Sequence, residues 1–193
     1  MRRYIPSSNQ HCDIAKQKKQ LRTKKRIELE NLPESYIAAS NAEIEAKMLK
    51  IPEYIAAKRV FAYCSVGREV ATQGIIAHAL SVGKQVALPV CGDGFHMSFR
   101  EVFGLNGLKP GKFNIPEPEC GTPGLIPEQG DIMIIPALCC DEQGSRLGHG
   151  AGYYDRYLSE TECFTVCLCR KLLLEKCLPT EPSDIKVRMV LTE

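Results

Sequence analysis

The sequence predicts an α/β protein in which helices cover both faces of a mostly parallel sheet, and three observations lead to that reading. Residues 59–63 and 85–90 are short apolar runs rich in β-formers, separated by a stretch with helical spacing. Strand, helix and strand within 32 residues make a βαβ unit, hence two parallel strands joined by a right-handed crossover. The run Asp-Ile-Met-Ile-Ile-Pro at 131–136 is the most apolar strand of the chain, and a glycine-rich loop follows it.

Taken in order, residues 1–12 read as a loose leader. From Ile14 the chain looks helical, with Leu21, Leu29 and Leu32 giving a narrow apolar stripe that Pro33 closes. A second helix is expected over about 35–50, with Ile37, Ile44, Met48 and Ile51 spaced for one face and Pro52 at its boundary. After the strand at 59–63, Thr72 stands as an N-cap ahead of Ile75, Ile76, Ala79 and Leu80, and Gly83 ends that helix. Strands at 85–90 and 97–102 follow. Residues 104–128 read as a long loop rich in Gly and Pro, and a structureless loop of that length usually has a function. Beyond 131–136 come the glycine loop, a short helix from about Gly152, a strand at 164–169 and a last, edge strand at 185–191.

At 193 residues the chain is expected to form one domain, able to bury about 70% of its unfolded surface. Hydrophobic residues at 44% and charged residues at 25% are ordinary globular values. The net charge of +2, from 25 basic and 23 acidic residues, gives no reason to expect nucleic acid or a membrane as partner. No run reaches the ~18 apolar residues of a membrane span. Residues 6–11 are polar where a signal peptide would have its apolar core, so no secretory segment is predicted. Ten cysteines without a C-x-x-C pair, several inside apolar runs such as 164–169, read as small buried hydrophobes in a reducing cytoplasm.

The chemistry concentrates at 144–155, Gly-Ser-Arg-Leu-Gly-His-Gly-Ala-Gly-Tyr-Tyr-Asp, just past the carboxyl end of the most buried strand, where open α/β sheets bind ligands. Glycines at 144, 148, 150 and 152 let backbone N–H groups approach a ligand closely, and the helix beyond adds its positive end. Arg146 offers a bidentate contact to phosphate, and Asp155 a carboxylate for a metal ion held partly by phosphate oxygens. The loop matches neither the Walker A nor the dinucleotide-binding pattern, so its spacing alone does not identify a reaction.

Pro136-Ala137, Asp141, Gly144, Arg146-Leu-Gly148, Gly150 and Gly152-Tyr-Tyr-Asp-Arg156 resemble the signature of the 5-formyltetrahydrofolate cyclo-ligases. Further similar segments follow in the same order: 18–22, 69–72, 113–118, 179–184 and 190–193, so the resemblance covers about 16–193. It implies a three-layer α/β/α domain like the NagB/RpiA/CoA-transferase-like fold. It also implies an enzyme that uses Mg-ATP to convert 5-formyltetrahydrofolate to 5,10-methenyltetrahydrofolate. By that resemblance Lys18, Arg22, Arg146, Leu147, Gly148, His149, Gly150, Ala151, Gly152, Tyr153 and Tyr154 form the ATP site. Cys64, Glu69, Phe113 and His149 through Tyr153 border the folate, with Glu69 accepting from the pterin. Asp155 and Asp184 hold Mg²⁺, and Arg146, Tyr154 and Asp155 are catalytic.

Lys18 and Arg22 lie four apart, on one face of a helix, within a run of seven basic residues whose other members are expected to be solvated. Two positions depart from the family pattern: Arg188 where an acidic residue is common, and Ala71 where an aspartate is frequent. The expected partners are a reduced folate and ATP, with no nucleic acid or membrane, and the expected state is a monomer. Two rivals stand beside this reading. One is a related enzyme that keeps the ATP loop but acts on another small amide; the other is a noncatalytic folate- or RNA-binding protein.

Overall fold

A computed structural model describes residues 8–119 and 121–193, with side chains from residue 13 onward. The chain opens with helices α1 (Ser8–Glu30), α2 (Glu34–Met48) and α3 (Pro52–Ala56). Strand β1 (Arg59–Phe61), helix α4 (Gln73–Ser81), and strands β2 (Gln85–Cys91) and β3 (Met97–Val102) follow. Four short strands come next, β4 (Lys109–Pro110), β5 (Pro116–Glu117), β6 (Gly124–Leu125) and β7 (Ile132–Ile135). The chain ends through β8 (Cys139–Cys140), β9 (Arg146–Leu147), α5 (Tyr153–Leu158), β10 (Phe164–Leu168) and β11 (Met189–Leu191).

Seven strands form the central sheet in the order β11-β10-β7-β1-β2-β3-β6. The first five are mutually parallel, β3 runs antiparallel to them, and the edge strand β6 runs antiparallel to β3. Side-chain alternation along β7 divides the core in two, as the pleat requires. Ile132 and Ile134 join Ile44 and Met48 of α2 and Ile75 and Ile76 of α4 on one face. Met133 and Ile135 join Leu158 of α5, with Leu21 and Leu29 of α1 packed against them, on the other. All four β7 residues are fully buried, each worth about 1.5–3 kcal/mol relative to exposure. The three-layer α/β/α expectation and the edge position of the last strand both hold.

Several local expectations are corrected. Helix α1 begins at Ser8, inside the leader expected over 1–12, while residues 1–7 lie outside the described residues. Thr72 precedes α4, but its hydroxyl does not cap the helix. It donates instead to the Tyr63 carbonyl at 2.7 Å and accepts from Ser65 N at 3.2 Å, tying the loop after β1 to its own strand. The segment 104–128 is not structureless: β4 and β5 make a small antiparallel ribbon, and β6 extends the sheet. Pairs this short leave almost no periodic signal in sequence.

Cys139, Cys140, Cys163, Cys167 and Cys169 are all buried in the core between the sheet, α1 and α5. Burial pushes the Cys139 and Cys163 thiols up to about 12 and about 11. They therefore stay protonated at neutral pH and pack as small apolar groups.

Candidate active site

A cavity of about 980 Å³ opens where β1, β2 and β7 end, flanked by α1 and the glycine loop. Cations from α1 approach from one side. Lys18, only 7% exposed, bridges Glu181 at 2.7 Å and Asp184 at 2.6 Å. One turn on, Arg22 Nε donates to the Gly148 carbonyl at 2.9 Å, and another turn on, Arg26 donates to the His149 carbonyl at 3.2 Å. Spacing by four puts all three on one helix face, so Arg26, solvated as expected, lines the cavity too, whereas Lys25 departs from the expected solvation, 3% exposed and paired with Glu175 at 2.8 Å. Continuing the Lys18–Arg22 spacing by one more turn would have found it.

The glycine loop is held by buried Asp141. Its Oδ1 accepts from Gln143 N at 3.1 Å and Ser145 N at 2.9 Å, and its Oδ2 from Leu178 N at 3.0 Å. Gly144 has φ +85, and a Cβ there would run into the Val187 carbonyl, so this glycine serves the fold. Gly150 and Gly152 also have positive φ, whereas Gly148 does not and has open space around its Cα. Members of 146–154 all line the cavity except Leu147, whose side chain is buried in the core. Helix α5 is six residues long, shorter than an extended anion-binding helix, so backbone and arginines dominate this end.

Arg146 reaches in from β9 and donates to Asp155 Oδ1 at 2.9 Å, an oxygen that also accepts from Ile185 N at 3.1 Å. The buried Nε of Arg146 and the buried hydroxyl of Tyr154 have no hydrogen-bond partner. Burial, reinforced by the Glu69 charge, raises the Tyr154 hydroxyl well above its ordinary pKa, so it is a proton-bearing donor in a residue that lines the cavity. Such orphaned groups cost free energy unless a ligand satisfies them.

Glu69 lies opposite, in the loop after β1. Its Oε2 accepts from Val66 N at 2.9 Å, and its Oε1 stands 3.3 Å from His149 Nε2. The two loops expected to serve different ligands therefore touch. Buried Cys64 and the Tyr63 side chain complete this wall, and burial raises the Cys64 thiol. Phe113 is 70% exposed at the mouth, with φ +58 between β4 and β5, a conformation that aromatic residues seldom take.

Asp155 and Asp184 are brought together because Ile185 N, next to Asp184, binds Asp155. Among the described residues no three His, Cys, Asp or Glu side chains form a metal cage on their own. Two carboxylates lining one cavity nevertheless fit Mg²⁺, which usually takes one or two carboxylates plus phosphate oxygens. Arg188 has an exposed side chain away from the cavity, and its N–H donates to Thr165 Oγ1 at 3.0 Å. The Ala71 N–H donates to Asn41 Oδ1 at 3.1 Å.

A family model described as the 5-formyltetrahydrofolate cyclo-ligase family matches residues 14–193. A probable 5-formyltetrahydrofolate cyclo-ligase of Schizosaccharomyces pombe is 29% identical over 192 residues, covering 91% of this chain and 94% of that one. The 5-formyltetrahydrofolate cyclo-ligase of Escherichia coli K12 is 30% identical over 152 residues, covering 76% and 84%. The NMR structure of 5,10-methenyltetrahydrofolate synthetase from Aquifex aeolicus matches with a TM-score of 0.79 at 28% identity, over 90% of this chain and 88% of that one. With the family model matching residues 14–193 and the overall fold shared over nine-tenths of the chain, the chain is a ligase and belongs to the 5-formyltetrahydrofolate cyclo-ligase family.

Proposed function

We propose that the chain closes 5-formyltetrahydrofolate to 5,10-methenyltetrahydrofolate at the expense of ATP, with Mg²⁺ as cofactor. One observation carries the reading: a single cavity joins a glycine loop ringed by Lys18, Arg22 and Arg146 to the carboxylate of Glu69. The first end suits a triphosphate. The second suits the paired N–H donors of a pterin, which a carboxylate accepts.

The formyl carbon on N5 is amide-like, and N10 is a weak nucleophile. In this scheme the formyl oxygen attacks the γ-phosphorus and ADP leaves. N10 then adds to the activated carbon, the phosphate departs with its oxygen, and N10 gives up its proton. The products are methenyltetrahydrofolate, ADP and phosphate. Arg146 neutralises charge on the transferring group, Tyr154 donates to a substrate oxygen from its buried position, and the glycine loop fixes the phosphate chain in line. Asp155 and Asp184 would hold Mg²⁺, which would supply charge neutralisation for the transferring phosphate. Phe113 and Tyr153 border the folate. The partners are a reduced folate and ATP; protonated, buried thiols suit a reducing cytoplasm, and the chain acts as one domain and as a monomer.

Protein mixed with 5-formyltetrahydrofolate, ATP and Mg²⁺ should generate the near-ultraviolet absorbance of the conjugated methenyl product, and excess chelator should abolish it. Product formation equal in chelator would sink the metal assignment. ATP hydrolysis without that absorbance would favour an enzyme acting on another small amide. Salt-sensitive binding to RNA without either would favour the noncatalytic alternative.

A further inference from the structure

Arg170 stands just past the carboxyl end of β10, 1% exposed and the largest fully buried side chain among the described residues. One Nη donates to the Ser40 hydroxyl and, at 3.0 Å, to Asn41 Oδ1, both on α2. The other donates to the carbonyls of Arg68 at 3.2 Å and Glu69 at 3.1 Å. All four acceptors are neutral, and Nε has no partner. Burying a cation this way is a poor device for stability, since its desolvation is not offset by an opposite charge. Its bonds converge instead on one short segment. Two go to the backbone that carries Glu69, and a third goes to Asn41, which itself accepts from Ala71 N.

We propose that Arg170 is a positioning residue for folate binding, holding the backbone at Glu69 so that its carboxylate faces the cavity before substrate arrives. The inference rests on the reading of Glu69 as the folate carboxylate. Other contacts fix the neighbouring residues: the Tyr63 hydroxyl donates to the Val70 carbonyl at 2.7 Å, and Arg68 Nε donates to the Leu29 carbonyl at 3.0 Å. Arg170 alone among these grips the Glu69 peptide itself. Without it the carbonyls of residues 68 and 69 lose their donors and the Glu69 side chain explores more orientations. That loss weakens the folate and not the triphosphate, which lies against the glycine loop.

The test uses the full chain and two separate titrations, with 5-formyltetrahydrofolate and with Mg-ATP, supported by KM and kcat. Arg170→Met should raise the folate Kd by about tenfold, the worth of hydrogen bonds from a charged donor, while ATP affinity stays within about twofold. KM for folate should rise with it, and kcat at saturation should change much less. Arg170→Lys should recover part of the loss, because an ammonium still donates to a carbonyl. Asn41→Ala, at a half-buried position, should weaken folate by about threefold and carries the test if Arg170→Met fails to fold. In a Glu69→Gln background Arg170→Met should have little further effect, because both act through one group. Unchanged folate affinity in Arg170→Met and Asn41→Ala, equal loss of both ligands, or full additivity with Glu69→Gln would overturn the proposal. If Glu69→Gln itself leaves folate binding intact, the Glu69 reading falls and takes this one with it; if only the Arg170 variants are silent, the Glu69 reading stands.

Discussion

Around the glycine loop the clamps are cations reaching across from other elements. Arg22 and Arg26 hold the Gly148 and His149 carbonyls, Arg146 holds Asp155, and Lys18 holds Asp184 and Glu181. Around residues 65–72 the clamps are mostly hydrogen bonds with neutral backbone groups: the Tyr63 and Thr72 hydroxyls and the Arg170 guanidinium donate to carbonyls, and Asn41 Oδ1 accepts from the Ala71 N–H. The first set consists of groups that phosphate would compete for, since charge-assisted bonds to phosphate oxygens are stronger than those to carbonyls. Bonds of the second set join protein groups to backbone carbonyls and N–H groups, which an anionic ligand would not displace in the same way. On the proposed assignment, the glycine-loop end would exchange partners on binding a triphosphate, whereas the Glu69 end would be set beforehand.

Isosteric amides at the two ends should break the cavity in opposite ways. Glu69→Gln leaves donors facing pterin donors in a buried site, at about 1–3 kcal/mol, so folate affinity should fall roughly ten- to a hundredfold while Mg-ATP affinity barely moves. Asp155→Asn keeps an oxygen for Arg146 and Ile185 but loses its charge. It should weaken Mg-ATP by about tenfold and leave folate binding alone. Equilibrium titrations of each ligand without the other decide both, and a crossed result would falsify the assignment of ends.

The smallest expected effects sharpen the view of the loop itself. Gly150→Ala forces a side chain to φ +114 beside Arg22, at about 1–3 kcal/mol, so the melting temperature should fall by several degrees. Gly148→Ala meets open space at an ordinary φ and should melt within about 0.5 kcal/mol of the parent. Its cost should appear only in ATP affinity, where the backbone must approach phosphate closely. Equal melting losses in both would show that the loop's glycines all serve the fold.

Much of this was legible in the chain itself. The βαβ unit, the buried interior strand at 131–136 and the edge position of the last strand follow from period and composition, because burial on two faces demands unbroken apolar runs. Lys18 and Arg22 share a helix face, which spacing alone predicts, and both line the cavity. Arg26 follows the same spacing, yet a run of seven basic residues hid it, since charge runs are usually solvated. The β4–β5 ribbon was not legible because two-residue pairs have no period to detect.

Local sequence determined which segments are helices and strands, and which loop concentrates the glycines, since propensity, periodicity and turn chemistry act over a few neighbouring residues. Only the tertiary structure decided that His149 meets Glu69, that Ile185 brings Asp155 beside Asp184, and that Arg170 grips the Glu69 peptide. Those partners are 80, 30 and 101 residues apart along the chain. No local rule couples such distant positions; they meet because parallel strands order β10, β7 and β1 side by side with their carboxyl ends together.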